Sequence, residues 1–437
     1  MTNCTIKNIH FSPCKRKKVE LNFKGGSVTS DAGALLLREI DQKLGFTEAL
    51  AKIIPDERDQ RYIDHSIELM LAQRIYGLAL GYEDLNDHET LRKDLGFQTA
   101  ISSDKKLASA STLCRFENTA SRKLAFAINK RFVETFISTF KEAPKELILD
   151  FDPTDNPIHG HQEKRFYHGY YQSYCYLPLY VFCNNQLLVS YLRPSNIDGA
   201  KHAWAILALL VKRFRQEWPE VEIIFRGDSG FCRDLMLRWC DRNKVGYITG
   251  IGSNNRLLKA SAKIRAKAAK EFKKTQKKQK LFAEFKYAAK SWKYRRRTII
   301  KAEHTDQGPN PRFIITNLKG EPQKLYEEIY CARGDMENRI KEQQLCLFAS
   351  RTSCHDWWAN QFRLLLSGCA YVLISALKRL VLKGTEFAKA QCDTIRLKLF
   401  KVGAVVIRNT RKIKFFASSA YPYQTLFINI AKKLCPE

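Results

Sequence analysis

Negative charge is what this chain has least of. Its 437 residues carry 45 Asp and Glu against 74 Lys and Arg, a formal net charge of +29. That excess is beyond what solubility requires and points to a polyanionic partner, nucleic acid first. Also missing is any Cys-x-x-Cys pair. The 13 cysteines follow no regular spacing, so reduced, mostly buried thiols in a cytosolic protein are expected instead of a disulfide framework. His159-Gly-His161 with His168 lacks a cysteine partner or a helical His-x-x-x-His pair, which argues against a metal site there. The opening Met1 to Asn8 has no apolar stretch of the kind a secretory leader needs. Leu364 to Leu377, the most apolar helical run, is bracketed by Arg363 and Lys378 and falls short of the ~20 residues of a membrane span. No large amphipathic helix with basic flanks fits a membrane surface, so no membrane partner is expected.

What is present reads as folded: 45% hydrophobic and 27% charged residues, in a chain long enough for two or three domains. Residues 1–145 are expected to be mainly helical after a short strand near Val19–Phe23. Ser30 or Asp31 can cap a helix to Leu44 that Gly45 stops, and a second helix fits Ser66 to Ala79. Arg115, Asn118 and Arg122, on a short helix and the start of the next, can either enter a DNA groove in helix-turn-helix fashion or form the solvated face of a bundle. From Glu146 to Ile251 the pattern becomes strand, antiparallel strands, helix, strand, helix, strand, which predicts an alternating sheet with parallel neighbours where helices intervene. Residues 252–324 form a basic insertion: Arg256 to Lys301 holds 18 Lys and Arg against Glu271 and Glu284. Its density, with Trp292, Tyr294 and the triplet Arg295-Arg296-Arg297, favours phosphate contact over an idle solvated face. The last segment, 325–437, is expected to be mostly helical.

Three carboxylates stand in chemically suggestive settings. Asp152 ends the apolar run that starts at Glu146, and Asp228 closes Val221 to Asp228. Glu337 lies on a helical pattern with Tyr330, Arg333 and Lys341 at spacings of three and four, so all four share a face. A strand-end Asp often only caps the next helix, and a surface Glu is usually just solvated. Two such Asp at the carboxyl ends of sheet strands, plus one helical acid, can nevertheless bind divalent cations beside a phosphodiester. Asp150 shares a strand face with Asp152 and is the reserve candidate for the first acid.

The motifs Asp150-Phe-Asp152-Pro-Thr154-Asp-Asn-Pro-Ile-His-Gly160, Phe225-Arg-Gly-Asp228-Ser-Gly-Phe231 and Tyr330-x-x-Arg333-x-x-x-Glu337 resemble those of bacterial DDE-type insertion-sequence transposases. The likeness is nearest to the group numbered thirteen-eighty, and more distant to group-four and piggyBac-like enzymes. Gly26 to Leu35 and Leu107 to Asn118 also look like that group, so the resemblance spans nearly the whole chain. It implies an α/β, ribonuclease-H-like mixed sheet with flanking helices, a basic insertion domain and a mainly helical N-terminal domain. It implies, too, a triad of Asp152, Asp228 and Glu337 binding two Mg2+, with Mn2+ as a substitute. In the family the acid helix continues with a lysine seven residues after the glutamate. Here that position is Gln344, and the nearest lysine is Lys341.

The expected function is cleavage and strand transfer at terminal inverted repeats, by cut and paste. Arg333 would steady Glu337 or the phosphate, Tyr330 would pack on a flanking nucleotide, and the insertion would hold target DNA. A homodimer on double-stranded DNA, in the nucleoid of a bacterial cytoplasm, completes the expectation. Two readings compete: a nuclease of similar fold that cuts without joining, and a non-catalytic DNA-binding descendant of a transposase.

Overall fold

The computed structural model describes residues 8–435. The opening stretch on which the leader expectation rests lies almost wholly outside them. The chain divides into two compact units, Met1–Thr119 with Cys369–Glu437, and Ala120–Gly368. This division differs from the four segments expected from the sequence.

The second unit is built on a nine-stranded sheet. Its strands are β1 Glu146–Pro153, β2 Leu179–Cys183, β3 Gln186–Tyr191, β4 Glu222–Gly227, β5 Gly246–Ile251, β6 Gln279–Tyr287, β7 Arg296–Thr305 and β8 Arg312–Thr316, with the two-residue strand Gly308–Pro309 pairing β7. Across the sheet the order is β6-β7-β8-β5-β4-β1-β2-β3. β1, β4 and β5 run parallel, whereas β2 and β3 follow β1 antiparallel. The parallel steps are made through α1 (Ala203–Glu217) and α2 (Asp234–Arg242), as parallel neighbours require. The five strands β3-β2-β1-β4-β5 form the mixed sheet with flanking helices that the sequence order led us to expect. The insertion does not stand apart from them: β8 joins β5 antiparallel and brings β7 and β6 with it.

Period-two alternation sorts the two faces. Leu147, Leu149, Phe151, Ile223 and Phe225 point to one side, where Leu207, Leu210 and Phe214 of α1 and Met236 and Leu237 of α2 complete the main core. Ile224, Ile248, Ile299 and Ile314 point to the other side and are covered by Leu325 and Tyr326. Asp150 and Asp152 fall on this second face, toward the acid-bearing segment.

The first unit holds helices Ala34–Leu44, Ile67–Leu80 and Ala110–Glu117, a C-terminal helix Gln424–Leu434, and a three-stranded sheet of Ile413–Ala417, Ala404–Arg408 and Val28–Thr29. Ser66 caps its helix through the Leu69 amide, and Gly45 ends the first helix in the left-handed conformation, φ 56°, which costs glycine little. The helix to Leu44 is not capped by Ser30 or Asp31 as expected. Gly33 takes the cap position, while Asp31 is buried and engaged by the Tyr82 hydroxyl (2.7 Å) and Lys401 Nζ (2.7 Å). The opening strand is one half of a hairpin, Ile9–Cys14 with Lys17–Leu21, exposed along its length.

The apolar run ending at Leu377 is longer than the sequence reading allowed. The helix covers Trp357–Leu377 and continues as a wider turn to Leu382, 26 residues in all, enough by length and composition to cross a membrane. Because 78% of its most apolar window is buried inside the protein, it is a core helix.

Candidate active site

Strand register brings the first two acids together. Arg226 lies opposite Asp150, and Gly227 opposite Phe151, so Asp228 follows at the strand end beside Asp152, one interstrand spacing away, ~4.8 Å. Behind them Phe151, Phe225 and Phe231 form an edge-to-face cluster with ring centroids 5.1–6.3 Å apart. All three rings are fully buried, and this packing fixes both strand ends from the core side. Asp228 also does what strand-end Asp residues commonly do: its Oδ1 accepts the Gly230 amide at 2.8 Å and caps the turn Ser229–Phe231.

The two candidates for the first acid separate cleanly. Asp150 is buried and held by a two-pronged ion pair with Arg226, whose second arm donates to Asp150 Oδ2 at 2.7 Å. The same guanidinium donates to the Ile329 carbonyl, so it ties β1, β4 and the acid-bearing segment together. Asp152 has no such neutralising partner. Arg333 Nη1 stands 3.5 Å from its Oδ1, and burial, then the neighbouring Asp228, Glu337 and Asp150, outweigh Arg333 and push the carboxyl up to about 7.

Glu337 arrives on α3 (Gly334–Lys341), which is preceded by a wide turn at Leu325–Tyr330 and a tight one at Cys331–Arg333, and followed by another wide turn at Glu342–Cys346. Wide turns of this kind re-aim side chains and recur at functional sites. Arg333 Nη2 donates to Glu337 Oε1 at 2.8 Å, so one guanidinium bridges the first and third acids. Burial works against the Arg333 charge, but the carboxylates of Asp152 and Glu337 outweigh it and raise its pKa. Arg339 fixes the same helix by donating to Asn185 in the β2–β3 turn, 2.7 Å. Tyr330 is half-buried, packs on Tyr326 (5.6 Å), and leans over Gly250, where an added Cβ would meet its hydroxyl at 2.6 Å. Lys341 is exposed. Gln344 reaches the loop after Asp152 instead, donating to the Asp155 carbonyl (2.8 Å) and Asn156 Oδ1 (3.1 Å).

Three carboxylate oxygens suit a hard divalent cation. Among the described residues, only Glu163, His355 and Asp356 gather ligand atoms within 4.8 Å of one another, and they are exposed. The three site acids are held further apart, with Glu337 bound to Arg333.

The basic insertion divides on inspection. Arg296, expected to contact phosphate, is instead buried and bound to Asp241, Asp234 and the Tyr247 hydroxyl (2.6 Å), so it has no face for phosphate. Trp292 is half-buried against Tyr287 and the main core. Arg297 is engaged by Glu284 and the Leu318 and Gly320 carbonyls. Arg295 and Tyr294 are exposed, as are most lysines of helix Ala262–Thr275. In the N-terminal region Arg115 and Asn118 are exposed on helix Ala110–Glu117 and its cap, and Arg122 opens helix Arg122–Ile137. Arg115 also lines a cleft of about 810 Å³ with Arg58, Arg92 and Tyr62. Sequence reasoning met Gln344 only as a departure from the family's lysine and gave Arg226 no role; the parallel register of Arg226 with Asp150 is the signal that could have found the latter.

A mixed sheet carrying acids at adjacent parallel strand ends, with a third acid on a following helix, is an arrangement that can hold divalent cations beside a phosphodiester. The family described as transposase DDE domain group 1 matches residues 11–436, and this chain belongs to it. It is thus a transposase by family, of a kind that acts on DNA with divalent metal. No curated protein matches it. Among solved structures, a cryo-EM structure of a piggyBac transposase synaptic complex with hairpin DNA aligns over 84% of this chain and 79% of that one, at 10% identity and a TM-score of 0.41.

Proposed function

We propose that the chain cleaves DNA at the terminal inverted repeats of a mobile element and transfers the freed ends to target DNA by cut and paste, as a homodimer holding two ends. The gathering of Asp152, Asp228 and Glu337 around Arg333 at the strand ends carries this reading. In it Asp152 and Asp228 hold one Mg2+ and Glu337 completes a second position, with Mn2+ as a substitute. When bound, the cations polarise the scissile phosphate and lower the pKa of the attacking water or 3′-hydroxyl. Asp152 gives up its proton on loading. Arg333 trades its pairing with Glu337 for the phosphate, which a forked guanidinium suits. Arg226 keeps Asp150 neutralised and out of the ligand set. Arg295 and the exposed lysines of helix Ala262–Thr275 grip flanking DNA, while Arg115, Asn118 and Arg122 are the candidates for end recognition.

The test is Mg2+-dependent cleavage and joining on DNA that carries the element's own ends, with Asp228→Asn as the comparison. The expected result is joining by the wild type that the variant loses while still binding DNA. Cleavage without joining would replace transposition with a nuclease, and equal activity in both proteins would remove Asp228 from the chemistry.

A further inference from the structure

Four residues after Asp152 the chain enters a small sheet that the chemistry above does not use. Asn156–Pro157 pairs with Ser173–Tyr176, which pairs in turn with Phe166–His168. Only the inner end of this hairpin builds core: Cys175 and Tyr176 are fully buried. Its outer part presents aromatic rings to water. Phe166 is 38% exposed, Tyr174 45%, Tyr167 57% and Tyr170 84%. Tyr167 and Tyr174 meet edge to face at 5.6 Å, and Tyr170 and Tyr171 at 5.0 Å. An edge-to-face pair leaves a flat ring face open to a third ring. Two cations flank the group: Arg165 lies 4.1 Å over Tyr174, and Lys164 lies 4.6 Å over Trp357.

The hairpin cannot drift from the acids. Asn156 donates to the Ala349 carbonyl at 3.0 Å and accepts from Gln344. Tyr176 donates to the Glu163 carbonyl at 2.6 Å, and Arg165 donates to the Gly160 carbonyl at 2.6 Å. Tyr171, at the hairpin tip, lies in the field of Asp155 and Asp152. The small sheet leaves the strand directly after Asp152, so a nucleic-acid strand whose phosphate reaches Asp152 can extend its next nucleotides toward these rings. Duplex bases offer no free face, because each is already stacked on its neighbours; open rings next to flanking cations suit bases that have left the duplex.

We propose that the hairpin 166–176, through Tyr167 and Tyr170, is a stacking platform for unpaired bases adjoining the phosphate held by the acids. The proposal rests on the DNA-processing reading above and adds its substrate form: a frayed or extruded DNA end, not an intact duplex. The exposed rings of Tyr167 and Tyr170 are then a binding surface, and Arg165 and Lys164 neutralise the backbone that enters it.

The test uses the full chain in EDTA, so that no cleavage occurs, and measures by fluorescence anisotropy its affinity for two DNAs of one sequence. One is a blunt duplex; the other carries a short unpaired 3′ extension. The wild type is expected to prefer the extended DNA and to lose the preference when the extension is abasic. Tyr167→Ala with Tyr170→Ala should lower the preference on the order of tenfold, and Tyr170→Phe, which keeps the ring, should retain it. Circular dichroism checks that the variants are folded. An unchanged preference in the double variant, or an abasic extension that binds as well as the base-bearing one, overturns the platform while leaving the transposase reading intact. Failure of the wild type to bind either DNA overturns the functional reading underneath.

Discussion

Asp152 is the residue on which folding and the proposed chemistry pull in opposite directions. Its carboxyl is raised to about 7 by burial and by the acids around it, against an ordinary value near 3.8. In the metal-free protein it holds a proton between about pH 4 and 7 that the unfolded chain has already lost. Stability is therefore full below about pH 4 and falls as pH rises through 7, by about 2–4 kcal/mol. Asp152→Asn should accordingly raise the melting temperature of metal-free protein at pH 8 and leave it nearly unchanged at pH 4. Adding Mg2+ at pH 8 should restore stability to the wild type only, since a bound ligand favours the native state. Arg226 poses the converse case. Removing it strands the buried Asp150 carboxylate, so Arg226→Met is expected to cost about 3–5 kcal/mol, read from urea unfolding. At this scale the sequence was legible where a motif ends a strand: Asp152 and Asp228 do stand at adjacent parallel strand ends. It was not legible where a partner is remote: Arg296 looks like one of three equivalent arginines, yet its acids, Asp234 and Asp241, lie more than 50 residues earlier.

At the scale of elements, the acid-bearing segment is held by its ends. Arg226 fastens the Ile329 carbonyl, Arg339 fastens the middle to the β2–β3 turn, and Gln344 fastens the far end to the loop after Asp152. Gln344→Ala removes the amide's donor contacts to Thr154, Asp155 and Asn156. It should cost about 1–2 kcal/mol and let the amides of 154–157 exchange faster with deuterium, with cleavage lowered more than DNA binding. Gln344→Lys, which restores the family's usual residue, tests whether the clamp can be exchanged for a phosphate contact. Periodicity found this helix but not its wide turns, because a ring closed five residues on leaves no mark in an apolar repeat. The strands were easier. The apolar run from Glu146 to Asp152 is the strand Glu146–Pro153, since a short apolar run between turn signals has few alternatives.

For the whole molecule, charge and topology set the expectations. An excess of +29 implies DNA affinity that falls steeply with salt. Replacing Lys263, Lys270 and Lys274, all exposed on helix Ala262–Thr275, with alanine should flatten the plot of log K against log salt by about one unit per lost phosphate contact. A slope unchanged from wild type would place the DNA path elsewhere. The mixed sheet was foreseeable from the order of strands and helices between 146 and 251; its continuation through β8, β7 and β6 was not, because pairing partners in a sheet need not be neighbours in sequence.

That continuation has an evolutionary consequence. Because β8 hydrogen-bonds along the open side of β5, the insertion cannot be excised without baring a buried strand edge, which invites aggregation. It is not a cassette that a lineage can gain or shed in one step. Variation in this part of the protein is therefore expected at the outer helix and the loop tips, and a homologue lacking the whole segment would need a different strand to close its sheet.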